Sequence, residues 1–584
     1  MPLTVTVVPD VTGLDKTFDY LVPEELRFVV ELGSSVRAPL HGRRITGWVV
    51  RVGPPSADVS VDRLVPLAGW AGHGPAADLI DLSAWAADRW GTPRRRPFLV
   101  TASPPRRVRA IGASRERVHV AFSDAAPGVR SLLARAPHES APGGVVRVSP
   151  TDDVMSVVLA AVERGSTLVV HPSPAAVGLL AARLRAVGVS VAVMPDEWAL
   201  AAAGADVVIG GRSAAWAPVP NLAVAVVLDE HDEALQEERS PTWHARDVLV
   251  ERARRAGVPC VLVSPCPTVT ALAWSGSRWM RPAPEVEAEG WPTVEVVDRR
   301  DDEPWKRSLV TTPLIEVLRD PARRVACVHN VPGRARMLAC RSCRSLLACE
   351  RCHVAVRQLD DGVLHCARCG LQRPPVCQVC GSAALANVRP GITRLREELE
   401  AAANRPVGAV AGTDRGAATQ RNVDVFVGTE AVLHRVNDVD VVVFLDFDAE
   451  LLAPRYRAGE QALALLVRAA RLVGPRRDGG HLIVQTTMPD HEVVQAAVRA
   501  DPGGVVRAEA ARRRDLALPP FGALAHVSGE GAERFVTSTG LVSAPDATGL
   551  LLRADSWDEL GPVIAATPRE LGSRLRIEVD PARR

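Results

Sequence analysis

The chain has 584 residues, 47% of them apolar, and a formal net charge of +2 at neutral pH. That length allows three to five domains with sizeable cores. The near-neutral balance excludes a polycationic coat for nucleic acid, so any nucleic-acid surface must be local. The opening stretch MPLTVTVVPDVTGLDKTFDY lacks the charged-then-apolar pattern of export, and no apolar run approaches the ~20 residues of a membrane span. The chain therefore reads as cytoplasmic, with no membrane partner.

In chain order, residues 3–8 alternate as a strand, Thr17-Phe18-Asp19-Tyr20 follows, and 33–36 and 42–50 read as strands joined by turns. Gly47, inside the last of these, marks a bulge or a close approach of another segment. A small β domain fits 1–65, and the spacing of Leu79, Leu82, Trp85 and Ala86 predicts a helix over 79–90. From Arg89 to Arg117 the chain carries nine arginines and one acid, Glu116, and is broken by four prolines. This stretch reads either as a solvated connector or as a strip that contacts phosphates, whose neutralisation dominates nucleic-acid affinity.

Strands and helices then alternate from 145 to 269, with apolar strands at 167–170, 206–209, 223–228 and 260–263 and helices at 175–187 and 247–256. Strands this apolar suit a parallel sheet covered on both faces. A second layer of the same kind has strands at 324–329, 407–411, 423–427, 439–446 and 481–486, with helices at 392–402 and 462–472. A small domain follows residue 491.

Within the second layer sits CRSCRSLLACERCHVAVRQLDDGVLHCARCGLQRPPVCQVCG, residues 340–381, which holds eight of the eleven cysteines. They form four Cys-x2-Cys pairs: Cys340/Cys343, Cys349/Cys352, Cys366/Cys369 and Cys377/Cys380. Each turn presents two thiolates to one cation, so four turns supply two closed tetrahedral sites. Disulfides do not suit a cytoplasmic chain, and the spacing suits Zn2+ better than an iron–sulfur cluster. Three pairings of the turns are open. The segment HVAVRQLDDGVLH reads as a hairpin turning at Asp361-Gly362, which would join the second and third pairs and leave the first and fourth to enclose them.

Two α/β layers suggest a nucleotide-driven motor, but such an enzyme needs the G-x-x-x-x-G-K-[ST] phosphate cradle. Only two lysines occur, Lys16 and Lys306, and neither follows a glycine-rich loop. Asp229-Glu230 ends a strand as a Mg2+-binding pair would. Without the cradle it reads as a polar strand end in a solvated acidic loop with His231, Asp232 and Glu233. Cys327, in an apolar strand, reads as core.

Taken together, these features resemble the PriA family of bacterial primosomal replication-restart proteins. The resemblance rests on TFDYLVP from Thr17, Gly33 to Pro39, Gly210 to Ala214, Asp229-Glu-His231, Trp243-His-Ala-Arg-Asp247, the four cysteine pairs, Val427 to Glu430, Arg457-Ala458 with Glu460, Gln485-Thr486, and Arg513 with Pro519-Pro520-Phe521. The motor motifs are degenerate. GGVVRVSPTDD (143–153) stands where the family has its glycine-rich GKT loop. Ser264-Pro-Cys-Pro-Thr268 replaces S-A-T-P-S, and RAARLVGP (468–475) replaces the arginine-finger motif. The stretch 106–142 is short for the family's winged-helix domain.

The resemblance implies a multidomain α/β fold. A β-rich domain binding DNA 3′ ends would span 1–105, followed by a basic linker or reduced winged-helix region at 106–142. Degenerate helicase-like (RecA-like) lobe 1 would span 143–290, and lobe 2 would span 291–334 and 386–490. A zinc module at 335–385 would be inserted in lobe 2, with a C-terminal α+β domain at 491–584. It implies two zinc ions in nested order, one on Cys340, Cys343, Cys377 and Cys380, the other on Cys349, Cys352, Cys366 and Cys369. It also implies a 3′-end pocket at Phe18, Asp19 and Arg63. Expected partners are forked and single-stranded DNA, primosome proteins, the replicative helicase and its loader, and single-stranded-DNA-binding protein. The function expected is recognition of abandoned or stalled forks and reloading of the replicative helicase without helicase activity. The alternatives are an active ATP-dependent 3′–5′ helicase with a divergent nucleotide site, or a zinc-ribbon scaffold outside replication.

Overall fold

The structure, a computed structural model, describes residues 3–14, 16–55, 60–113, 121–134, 143–276, 278–300, 308–330, 338–343, 345, 347, 349–350, 356–358, 362–366, 371–387, 392–410, 423–453, 455–546, 548–569 and 574–582.

The alternating N-terminal stretch folds as an antiparallel sheet of β1 (Thr4–Pro9), β2 (Phe18–Leu21), β3 (Ser35–Leu40), β4 (Arg43–Val52) and β5 (Gly69–Gly72), in the order β2-β1-β4-β3-β5. Its last strand lies beyond the expected limit of 65. A side-chain carbon at Gly47 would sit 2.6 Å from the Val8 carbonyl oxygen, so the glycine marks a close approach of β1. One sheet face encloses Val5, Val7, Tyr20, Val36, Ala38 and Val49. The other packs Val8 and Trp48 against Ile80 and Leu99, from helices Ala77–Arg89 and Arg96–Ala102. Among the described residues of 106–142 there is one helix, Pro127–Ala134, and its Val129, Leu132 and Leu133 join the core of the first lobe.

That lobe is a seven-stranded parallel sheet, made of β6 (Gly144–Arg147), β7 (Ser166–Val170), β8 (Val191–Val193), β9 (Val207–Gly210), β10 (Leu222–Leu228), β11 (Cys260–Ser264) and β12 (Trp279–Met280). The order is β12-β6-β11-β10-β7-β9-β8. The central strands are apolar on both faces because helices cover both, as a parallel sheet requires.

The second lobe begins with β13 (Thr293–Asp298) and β14 (Val325–Val328). The chain then leaves for the cysteine module. Its ends pair through β15 (Leu338–Cys340) and β19 (Leu385–Asn387), around a three-stranded sheet of β16 (Arg357–Gln358), β17 (Leu364–His365) and β18 (Gln372–Arg373). The expected hairpin joins β16 to β17, with Gln358 donating to the Gly362 carbonyl; Asp361 lies outside the described residues. Strand β18 was not expected. The lobe resumes with helix Ile392–Ala403, β20 (Val407–Val410), β21 (Val425–Gly428), β22 (Val441–Phe444) and β23 (His481–Thr486), in the parallel order β13-β23-β22-β14-β21-β20. Cys327 is fully buried in β14, where burial pushes its thiol up to about 12, so it is a core residue.

The C-terminal domain is an antiparallel sheet of β24 (Ala523–Ser528), β25 (Val542–Asp546), β26 (Gly549–Ala554) and β27 (Arg576–Val579), ordered β25-β26-β24-β27, with helices Ala532–Thr539 and Trp557–Ala566. Leu79, Leu82 and Trp90 of the N-terminal domain share one core with lobe 1 and with Leu560 and Ile564 of this domain. Among the described residues no helix is long and apolar enough to cross a membrane.

Candidate DNA interface, metal centre and interlobe cleft

Asp19 lies on edge strand β2, its side chain 5% exposed. The Thr6 hydroxyl of β1 donates to Asp19 Oδ1 at 2.5 Å, Arg51 Nη2 of β4 lies 3.6 Å from the same oxygen, and Arg51 Nε donates to Thr6 Oγ1 at 3.1 Å. These contacts follow from register, since Thr6 faces both Asp19 and Arg51. Phe18 is the preceding residue and so points to the opposite face, where it packs beside Val7 and Tyr20. Arg63 is exposed. Its segment runs along the β2 edge through a bridge between Leu21 and Pro66.

In the cysteine module the sulfurs of Cys340, Cys343, Cys377 and Cys380 all lie within 4.8 Å of one another. The Cys340–Cys380 and Cys343–Cys377 separations are 3.5 and 3.4 Å. Metal–sulfur bonds of ~2.3 Å in a tetrahedron give edges of about 3.8 Å, so these four residues could hold one metal ion. The two turns are alike: Cys340 N–H donates to Ser345 O and Cys377 N–H to Ser382 O. Backbone N–H groups of Cys343 and Ser342 pull the Cys340 thiol down to about 6. For Cys380 the Ser382 N–H favours the thiolate, but Cys343 and Cys340 outweigh it and push the thiol up to about 12. A cation removes that mutual penalty. Cys349 and Cys366 are fully buried; their expected co-ligands Cys352 and Cys369 lie outside the described residues.

Between the lobes, backbone N–H groups of the loop after β6 are taken by that loop's own carboxylates. Asp152 Oδ2 accepts the Ser149 N–H at 2.7 Å, and Asp153 Oδ1 accepts the Met155 N–H at 3.0 Å at the start of helix Met155–Val162. That is where an anion would otherwise find free N–H groups. Arg471, on helix Ala458–Val473 of lobe 2, grips Asp229 with two bonds of 2.5 and 2.6 Å and donates to the Pro150 carbonyl at 2.9 Å. Burial alone would raise the Asp229 carboxyl, but Arg471 holds it well below the usual range. One turn earlier, Arg468 pairs with Asp232 at 2.7 Å.

The loop expected to be solvated is therefore packed between lobes, with Asp229 and Glu230 buried. Glu230 accepts the Thr268 N–H at 2.7 Å and faces Arg246 at 3.3 Å. Arg246 and Arg89 share Asp247, Arg457 and Tyr456 share Asp580, and Arg513 joins Glu460 to Glu509. Seven of the motif residues that carried the resemblance, Asp229, Glu230, Arg246, Asp247, Arg457, Glu460 and Arg513, thus meet where four domains join. A cavity of 770 Å³ opens beside them, lined by Glu230, Arg246, Glu460, Gln461, Arg468 and Glu578 among others. Sequence reasoning noted the degenerate RAARLVGP segment but not that its arginines, three apart on one helix face, find the lobe 1 acids.

Residues 6–98 match the family model of the PriA 3′DNA-binding domain (3′BD). Replication restart protein PriA of Bacillus subtilis is 26% identical over 58% of this chain and 45% of its own length. That of Thermotoga maritima is 28% identical over 63% and 51%. The probable replication restart protein PriA of Mycobacterium tuberculosis is 28% identical over 95% of this chain and 90% of its own. This chain is a relative of the replication restart protein PriA. It spans about half the length of the Bacillus and Thermotoga proteins it matches. Among solved structures, yeast Dbp5 bound to RNA and ADP BeF3 is similar over 67% of this chain and 94% of its own, at 11% identity and a TM-score of 0.35, a global likeness too loose to bear on function.

Proposed function

We propose that this protein recognises abandoned or stalled replication forks and promotes primosome assembly and reloading of the replicative helicase, with no helicase activity of its own. The match of residues 6–98 to a 3′DNA-binding domain carries the DNA-binding part. On this reading the nascent 3′ end meets the β2 edge, where Asp19 accepts its hydroxyl, Phe18 stacks on the terminal base and Arg63 contacts phosphate. Two zinc ions fix the cysteine module, one on Cys340, Cys343, Cys377 and Cys380, the other on Cys349, Cys352, Cys366 and Cys369. Their role is structural, since four thiolates leave no open position. That module and the lobes present docking surfaces to the primosome proteins, the helicase and its loader, and single-stranded-DNA-binding protein, in the cytoplasm.

The absence of a motor is supported by the Arg471–Asp229 pair and by the aspartates in the phosphate loop. A nucleotide would have to displace the first and sit against the charge of the second. The test is Mg-ATP binding and hydrolysis by the intact chain with forked DNA. Neither is expected; DNA-stimulated turnover would favour the second reading, an ATP-dependent 3′–5′ helicase, for which two parallel α/β lobes flanking a cavity speak.

A further inference from the structure

The arginine-rich stretch after the N-terminal helices is not a free connector. It runs back along the outer edge of β5, where the His73 N–H donates to the Val108 carbonyl at 2.8 Å. Arg107 lies over the strand and donates to the carbonyls of Trp70, at 3.1 Å, and Ala71. Gly72 has φ +145, and a side-chain carbon there would sit 2.6 Å from the Val108 carbonyl, so only glycine lets the segment come this close. Arg107 is used up in holding the segment down. Arg106 and Arg109 beside it are exposed, as is Arg37 of neighbouring β3. Desolvation, then the positive charge of Arg109 and Arg37, lowers the Arg107 pKa, so these guanidinium groups crowd one another. Among the described residues no carboxylate pairs with Arg37, Arg106 or Arg109.

A fold that gathers like charges without counter-charges has a polyanion as its natural complement. We propose that Arg37, Arg106 and Arg109 form a phosphate-binding strip for the backbone of duplex DNA, separate from the strand-end site at Asp19. The inference rests on reading this chain as a DNA-binding protein. Sheet order places the strip at the edge opposite Asp19: β3 and β5 are three and four strands from β2. At ~4.8 Å per strand that is roughly 15–20 Å, or about five base pairs at 3.4 Å each. The strip therefore grips duplex a short way behind a bound end and reads neither the end nor the sequence, since phosphate contacts position without specifying.

The test compares the full chain with R37A/R106A/R109A, R37K/R106K/R109K and D19A. The probes are a fork with a free 3′ end, the same fork with a 3′-phosphate, and a duplex capped by hairpins at both ends. The alanine variant is expected to bind all three at least tenfold more weakly, and its salt slope to fall by about two to three, near 0.9 per lost phosphate contact. The lysine variant keeps the wild-type slope, because it keeps the charge. D19A weakens binding to the free-ended fork more than to the capped duplex, which offers no end for Asp19 to hold. Wild-type protein that binds forks, with affinity and slope unmoved by the alanine changes, overturns the strip alone. Wild-type protein that binds none of the three probes overturns the strip together with the reading on which it rests.

Discussion

Arg471 and Asp229 meet head-on across the boundary between the lobes, two N–H groups to two carboxylate oxygens, with Asp229 side-chain exposure only 8%. This fork-to-fork geometry is the strongest form of arginine–carboxylate pairing. It joins a strand end of one sheet to the last turn of a helix on the other. Removing the arginine leaves a buried carboxylate without its partner. R471A is expected to lower the unfolding free energy by about 2–4 kcal/mol, read by urea denaturation. R471K should fall between, because an ammonium cannot make both bonds. If R471A is as stable as the parent, the two lobes are not held together here.

The proposed nested order of two zinc ions predicts how metal leaves. C340S and C377S should each release the same single ion, and C349S the other, so a chain with two bound zinc ions drops to one after any single change. Atomic absorption on the purified variants checks this. Loss of one shared ion by C340S and C349S would contradict the nested order.

His244 predicts an acid-sensitive junction. Its ring accepts the Arg246 N–H through Nδ1 at 3.2 Å at the start of helix Ala245–Ala256, a role that needs the neutral ring. Burial, reinforced by Arg246, pushes its pKa down to about 3. The unfolded chain takes up this proton near 6.5 while the folded chain does not, so stability present above pH 6.5 drains away as pH falls toward the folded value. Between pH 6.5 and 5 the loss is about 2 kcal/mol. H244N, which can still cap but cannot titrate, should flatten that limb in denaturation measured across pH. An unchanged limb would mean that another group governs it.

At the β2 edge, D19A should weaken binding to forks with a free 3′ hydroxyl by about tenfold, the scale of one hydrogen bond to a charged group. Binding to forks with a blocked end should be spared, as measured by fluorescence anisotropy. Equal losses on both would place the role of Asp19 in holding Thr6 and Arg51 instead.

Both parallel lobes were legible because their strands are apolar runs: Ala223 to Leu228 falls one residue short of the observed β10, and Val439 to Asp446 brackets the observed β22. The four-cysteine cluster that could hold a metal ion was legible because a Cys-x2-Cys turn is a local geometry. The charged junction was not. Nothing near Asp580 hints that it will meet Arg457, more than a hundred residues away, and an acidic loop looks the same on paper whether it faces water or an arginine. Strand β5 escaped because Gly-Trp-Ala-Gly carries no alternation; it is a strand only because β3 on one side and the Arg107 segment on the other supply its hydrogen bonds.

The three cysteines outside the paired turns have a practical consequence. Cys260, Cys266 and Cys327 are at most 5% exposed, and burial raises all three thiols. Thiolates, not thiols, attack disulfide reagents. A colorimetric sulfhydryl titration of the native protein will therefore register the cysteine module alone. Ejection of metal and loss of its anchoring sulfurs can then be followed together in untouched wild-type material, while the silent three report only when the lobes themselves melt.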